Sequence, residues 1–151
     1  MTLASPVKVR TMEVRDVPYV LAIQDASPGA AHWEPGAYEN ISAGQFEVYV
    51  AEQDSLAVCG FVIARCEASE VEILNLAVAE ACRRKGIGTA LLGEVLRCAK
   101  AESATTAFLE VRASNSGAAE FYARHGFQIT GRRRAYYQSP TEDAVLLSRL
   151  F

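Results

Sequence analysis

Apolar and polar positions follow two periods along the chain, and the changes of period mark its elements. Val7-Lys8-Val9-Arg10 alternates with period two and predicts a short strand. Asp16 then precedes Val17-Pro18-Tyr19-Val20-Leu21, and an N-cap carboxylate with an early proline opens a helix that runs to about Ala26. Ser27-Pro28-Gly29 breaks it. Trp33-Glu34-Pro35 opens a second short helix that carries Tyr38 and Ile41 inward. Local signals are weakest from Ser27 to Gln45, so a mobile, substrate-facing segment is expected there. Phe46 to Glu52 is rich in β-branched and aromatic residues and reads as a strand. Gln53-Asp54-Ser55 turns the chain into a second strand, Leu56 to Cys66, with Gly60 as a bulge signal. The third strand is Val71 to Val78, and the three form an antiparallel meander.

The period then becomes helical. Leu91, Leu92, Val95, Leu96 and Ala99 line one face of a helix beginning at about Gly88. Ala107 to Val111 is the next strand, and a helical connection implies that it runs parallel to the strand before the helix. Ser114-Asn115-Ser116 starts a helix that ends at His125-Gly126. Phe127 to Tyr137 and Ala144 to Phe151 are two strands joined by a turn from Gln138 to Asp143, and the last strand is expected to be exposed. The order β-α-α-β-β-β-α-β-α-β-β describes a mixed α/β fold. With no repeat or linker, residues 1 to 151 read as one domain.

Composition narrows the function. Half of the 151 residues are hydrophobic and 22% are charged, an ordinary globular balance. A net charge of −3 and a pI of about 5.4 argue against nucleic acid as a partner. No apolar run approaches the roughly 20 residues of a membrane span, so no membrane partner is expected. The start, MTLASPVKVR, lacks the pattern of a signal peptide, so the expected location is cytoplasmic. Cys59, Cys66, Cys82 and Cys98 form no paired motif, and there are two histidines, so no metal is expected. Cys82, beside a basic loop, is the cysteine to consider for reactivity.

That loop, Arg83-Arg84-Lys85-Gly86-Ile87-Gly88, carries the first chemical signal. Two glycines allow close backbone approach, and the following helix N-terminus offers unpartnered N–H groups and a positive dipole end. A pyrophosphate fits such a site, and a solvated charge run is the plainer alternative. It is not a Walker motif, because no Gly-Lys-Ser/Thr follows. It is not a dinucleotide fingerprint either, since Leu91 stands where a third small residue belongs.

Three further positions break their local pattern. Val71 and Ile73 should face opposite to Leu74, Leu76 and Val78, with Asn75 interrupting as a bulge, a bonded structural amide or a catalytic group. Alternation sets Phe108, Glu110 and Arg112 on one face of their strand. Glu110 is then either paired with a cation such as Arg112 or a general base, with Glu72 as the competing base. Tyr122, above the small Ala118 and Ala119, is either a core ring or a phenolic donor. Asn115 is an N-cap that can also meet a ligand, and His125 is a helix C-terminal cation or cap.

Together these blocks resemble a known family. Arg83-x-x-Gly86-x-Gly88 resembles the glycine signature of the GNAT acetyl-CoA-dependent N-acetyltransferases. Glu72 to Val78, Leu109-Glu110-Val111-Arg112-Ala113-Ser114-Asn115, Phe121-Tyr122-x-x-x-Gly126-Phe127 and Arg134-x-Tyr136-Tyr137 are similar, in order and spacing, to the ribosomal-protein-alanine (Rim-type) members. The resemblance implies a mostly antiparallel sheet, helices on both faces, and acetyl-CoA held where two parallel strands splay. Leu76, Ala77 and Val78 would lend backbone hydrogen bonds to the acetyl and pantetheine groups. Arg83, Arg84, Lys85, Gly86, Ile87, Gly88 and Thr89 would hold the pyrophosphate, with Asn115 also on the cofactor. Glu110 would be the base and Tyr122 the acid. Trp33, Arg134, Tyr136 and Tyr137, with Arg132 and Arg133 nearby, would line the acceptor side.

Direct attack of an amine on a thioester needs no nucleophilic Ser or Cys. It does need a neutral amine, and an α-amine (pKa about 7.7–8.0) starts roughly 3–4 kcal/mol better off at neutral pH than a lysine at about 10.4. The expected acceptor is a protein N-terminus, most specifically the alanine of a small-subunit ribosomal protein, with the enzyme a monomer or weak dimer. A small amine, a lysine, a non-catalytic CoA-binding module and a nucleotide-binding fold are the alternatives.

Overall fold

The computed structural model describes residues 6–31, 33–39, 46–53 and 57–151. Ile41, Asp54, Ser55 and Leu56 lie outside the described residues. The alternating Val7–Thr11 forms β1, and Phe46–Gln53, Ala57–Glu67 and Glu70–Val78 form β2, β3 and β4. Each pairs antiparallel with the next, so the expected meander carries β1 on its outer side. Thr106–Arg112 is β5 and pairs parallel with β4, as the helical crossover requires. Gln128–Tyr137 and Glu142–Leu150, β6 and β7, complete one sheet in the order β1-β2-β3-β4-β5-β7-β6.

The C-terminal strand is thus not the exposed one. β7 pairs along the whole of β5, from Thr106↔Leu150 to Arg112↔Ala144. Composition explains the choice: β7 carries Ala144, Val145, Leu146 and Leu147, whereas β6 carries Arg132, Arg133 and Arg134 and suits a solvated edge.

Helices cover both faces. α1 (Val17–Asp25) and α2 (Pro35–Glu39) bury Val20, Ile23 and Tyr38 against Val48, Val50, Phe61 and Ile63. α3 (Ile87–Ala101) buries Leu91, Leu92 and Val95 against Val62, Val71, Ile73, Ala107 and Leu109 on the other face. Each such side chain contributes roughly 1.5–3 kcal/mol when fully buried. α4 (Ser116–Arg124) adds Tyr122 to the α3 cluster.

Asp16 does not cap α1 with its side chain. It accepts two hydrogen bonds from the Arg10 guanidinium, at 2.7 and 2.8 Å, and one from the Glu13 N–H at 2.8 Å. It caps the 3-10 turn Val14–Asp16 in front of α1 and ties that turn to β1.

Two bulges adjust the meander of β2, β3 and β4. One lies beside Gly60, where the register moves from Ala51↔Gly60 to Glu52↔Val58. The other lies in β4, between Ile63↔Asn75 and Ala64↔Ile73, which leaves Leu74 unpaired. One extra residue reverses the alternation. Leu76 and Val78 therefore pack toward α3 with Val71 and Ile73, whereas Leu74 and Ala77 pack toward α1. The expected opposition of Val71 and Ile73 to Leu76 and Val78 fails for this reason.

Candidate active site

β4 and β5 pair at only three positions, Glu70↔Thr106, Val71↔Ala107 and Glu72↔Phe108. Beyond them the strands part, and the bulge at Leu74 adds local twist on the β4 side. Alternate N–H and C=O groups of β4 point away from β3 and meet no strand there. The gap is a cavity of about 950 Å³, walled by Ile73 to Val78 on one side and by Leu109 to Arg112 on the other.

The basic loop closes one end. A 3-10 turn at Glu80–Cys82 leads into Arg83, whose Nε donates to the Val78 carbonyl at 3.1 Å. Arg84 and Gly86 have φ of +63° and +80°, a left-handed geometry natural for Gly86 and strained for Arg84. Gly86 is the N-cap of α3 and offers no side chain, so the first N–H groups of the helix stay open to a ligand. Arg83, Arg84 and Gly86 to Thr89 line the cavity, and Lys85 stands just outside it. Among the described residues neither Arg84 nor Lys85 has an ion-pair partner.

Glu110 and Tyr122 reach the same cavity. The Glu110 side chain is 17% exposed and accepts from Arg133 Nε at 2.9 Å. Its cation is thus Arg133 on β6, not Arg112. Arg112 bonds the carbonyls of Gln138 and Pro140 and the Glu142 carboxylate, and sits 4.6 Å from the centre of the Tyr137 ring. Glu72 belongs to the paired end of the strands, where it bonds Arg65 at 2.5 Å and does not line the cavity. Tyr122 packs edge-on against Phe121 and Phe127. Burial pushes its phenol well above the usual tyrosine range, and among the described residues no protein group bonds its hydroxyl. It is a neutral phenol with an unused donor.

Asn115 caps α4, its Oδ1 accepting from Ala118 N at 3.2 Å. Asn75 is buried, and its carboxamide bonds one residue twice: Oδ1 accepts from Ala31 N at 3.2 Å and Nδ2 donates to Ala31 O at 2.9 Å. Asn75 is therefore both the neighbour of a bulge and a bonded amide. Gln24 treats Trp33 alike, with both bonds at 3.0 Å, and also accepts from the Tyr38 hydroxyl. The segment with the weakest local signals is thus held by two buried amides, and its residues 27 to 31 line the cavity.

Of the proposed acceptor residues, Tyr137 lines the cavity. Trp33 does not; it packs edge-on against Phe46 at 5.4 Å. Arg134 and Tyr136 lie exposed on β6 outside it. Phe121, Gly117 and Arg124 also line the cavity and were not foreseen. The small pair Gly117-Ala118, one turn before Phe121 and Tyr122, was the available signal.

Cys82 lines the cavity, and the Cys59 thiol is pushed up to about 11 by burial and by Cys82 nearby. His125 is the C-cap of α4, its N–H donating to the Tyr122 carbonyl at 3.0 Å, rather than a helix-end cation. Burial, Arg124 and Arg149 lower its pKa and favour the neutral ring, and Arg149 donates to its carbonyl at 3.0 Å. Glu47, Cys66 and Glu102 bring possible metal-ligand atoms within 4.8 Å of one another outside the cavity. They come from β2, β3 and the end of α3, too far apart in sequence for a spacing motif. Among the described residues no helix is long and apolar enough to cross a membrane.

The model of the acetyltransferase (GNAT) domain matches residues 44–129. The ribosomal protein bS18-alanine N-acetyltransferase of Escherichia coli K12 is 29% identical over 144 residues, 93% of this chain and 95% of that protein. The N-alpha-acetyltransferase RimI of Mycobacterium tuberculosis is 31% identical over 121 residues, 78% of this chain and 75% of its own length. The crystal structure of the Escherichia coli ribosomal-protein-S18-alanine N-acetyltransferase superposes with a TM-score of 0.84 at 26% identity, covering 96% and 94% of the two chains.

Proposed function

This chain belongs to the acetyltransferase (GNAT) family, and we propose that it moves acetyl from acetyl-CoA to the N-terminal α-amine of a protein, the alanine of ribosomal protein S18 being the specific acceptor. Residues 1 to 151 act as one such domain, in the cytoplasm, as a monomer or weak dimer. The observation that carries the reading is one cavity with three chemistries on its wall: a basic helix N-terminus, the Glu110 carboxylate and the Tyr122 phenol. Relatives that cover nearly the whole chain and are named for alanine N-acetylation of bS18 support the acceptor.

The donor set suits acetyl-CoA. In the segment Leu76, Ala77 and Val78 the N–H and C=O groups that point away from β3 offer hydrogen bonds to its amide-rich arm, the Val78 carbonyl being shared with Arg83 Nε. The free N–H groups at Gly86 to Thr89, with Arg84 and Lys85, suit a pyrophosphate. The Asn115 carboxamide is committed to its cap through Oδ1, which leaves Nδ2 for a ligand. The acceptor amine gives its proton to Glu110 and attacks the thioester carbonyl; a C–N bond forms, the C–S bond breaks and CoA leaves. Tyr122 donates a hydrogen bond to the departing sulfur, with proton transfer late, since a phenol is a weaker acid than a thiol. Arg133 holds the Glu110 carboxylate in the free protein, so an acceptor ammonium competes with it.

The test is incubation with acetyl-CoA and a panel of short peptides, read by mass spectrometry. An Ala-initiated peptide gains one acetyl group. No gain on any N-terminal peptide removes the acceptor.

A further inference from the structure

We infer that Asn75 is a positioning residue for the acceptor, because its carboxamide straps residues 27 to 31 across the gap between the parted strands. The inference rests on the N-terminal acetylation reading above.

The strap has little structure of its own. Its local bonds are Ala30 N to Ser27 O at 3.0 Å, Ser27 N to Gln24 O at 3.1 Å and Ser27 Oγ to Ile23 O at 2.7 Å. What fixes it is tertiary. Asn75 bonds both the N–H and the C=O of Ala31, the pair of bonds that a neighbouring strand would supply. Gln24 repeats this at Trp33, but from α1, which carries the strap itself. Asn75 is therefore the side chain that ties the strap to β4, the wall expected to hold the thioester.

The other end meets the opposite wall. A Cβ added to Gly29 would stand 2.6 Å from Asn115 Nδ2, just past β5. A side chain here would displace the Asn115 carboxamide, so glycine suits the close approach of the strap to the cap of α4. The strap thus runs from the β4 side to the β5 side, pinned by one asparagine and seated on another. Ser27, Pro28, Gly29, Ala30 and Ala31 offer small, uncharged groups to the cavity. That wall suits the backbone and small first side chain of a peptide.

An amide in an apolar strand is costly unless both halves are bonded. Asn75 meets that condition by reaching a segment 44 residues away. A role in folding alone would not need the bonded residue to line the cavity, as Ala31 does.

The variants Asn75→Ala and Gly29→Ala test this independently, the first by releasing the strap from β4, the second by pushing it off Asn115. In each, KM for an Ala-initiated peptide should rise about ten-fold; in Asn75→Ala, KM for acetyl-CoA moves less than about two-fold, whereas Gly29→Ala also presses on Asn115 Nδ2 and is read on the peptide KM alone. A purely structural role would lower the active fraction and Tm and leave both KM values alone, and that result overturns the inference. Hydrogen exchange of the Ala31 amide, without any substrate, is the second readout. It should be protected in the parent protein and at least about ten-fold faster in Asn75→Ala, and unchanged protection also overturns the inference. If the parent protein acetylates no peptide, the acceptor reading falls, and the role of Asn75 as its positioner falls with it. Exchange at Ala31 still tells whether the strap is anchored.

Discussion

Glu110 and Tyr122 differ in how their surroundings hold them. Glu110 is a paired carboxylate on a strand, and Tyr122 is a buried neutral phenol without a partner among the described residues. Glu110→Gln should therefore remove proton acceptance, and Tyr122→Phe only a donor. Each should lower kcat by about 10²–10⁴-fold, as for other positioned acids and bases, with the affinity for acetyl-CoA within about two-fold. Steady-state kinetics with calorimetric titration of the cofactor checks both. Burial raises the Tyr122 pKa above the usual value of 10.0, so the phenol keeps its proton through that pH. The rate should then show no alkaline loss between about pH 8 and 10 that Tyr122→Phe abolishes. Both residues were legible in the sequence. Glu110 broke the alternation of an apolar strand, and Tyr122 followed small residues at helical spacing. Arg133, the partner of Glu110, was not legible, because its place depends on how β6 lies against β7 and β7 against β5.

At the scale of elements, an ionic lock joins β1 to the start of α1. Asp16 looked like a helix cap, yet the doubly bonded guanidinium of Arg10 takes its carboxylate. The side chains of Arg10 and Asp16 are 17% and 4% exposed. Asp16→Ala leaves Arg10 without its main partner, so it should cost about 3 kcal/mol, the lower end for breaking a buried pair. In a protein of this length that is a fall in Tm of roughly 6–12 °C. Arg10 holds the Asp16 pKa below the usual 3.8. The unfolded chain therefore takes up that proton first. The stabilisation is complete above about pH 5 and is lost as pH falls through the lowered pKa. Urea melts of the parent and Asp16→Ala proteins should converge in that acid range; parallel curves down to pH 2 would contradict the lock. Gly86→Ala probes another element boundary. At φ +80° with open space around it, the cost should be backbone strain alone, about 1–2 kcal/mol by thermal melts. Element order and type were readable from periodicity. A β4 bulge was legible as one reading of Asn75, but its place at Leu74 and its reversal of the faces were not, because one extra residue leaves the apolar pattern intact while changing which face it serves.

On the scale of the whole molecule, β1 to β4 and β5-β7-β6 are two half-sheets joined by three residue pairs, by α3 and by the strap, which is bonded to β4 at Ala31 and lies against Asn115 at Gly29. The parallel pairing was legible from the crossover helix, whereas the insertion of β7 rests on competition between strands that only the folded sheet settles. A ligand lying along the open part of β4 and reaching the N-terminus of α3 would supply the contacts that β5 does not. It should therefore brace the two halves. At about 100 times its Kd, acetyl-CoA would add about 2.7 kcal/mol to stability. At 2–4 °C per kcal/mol for this length, Tm should rise roughly 5–11 °C. Arg84 and Lys85 are exposed, so part of that rise should fade as salt is increased from low ionic strength. ATP and NAD carry the pyrophosphate but not the arm that would follow β4, and should raise Tm much less. Equal shifts from ATP and acetyl-CoA would mean that the loop alone binds and the open strands hold nothing. A shift with acetyl-CoA alone, insensitive to salt, would mean the reverse: the strands bind the arm and the loop cations are only a solvated edge.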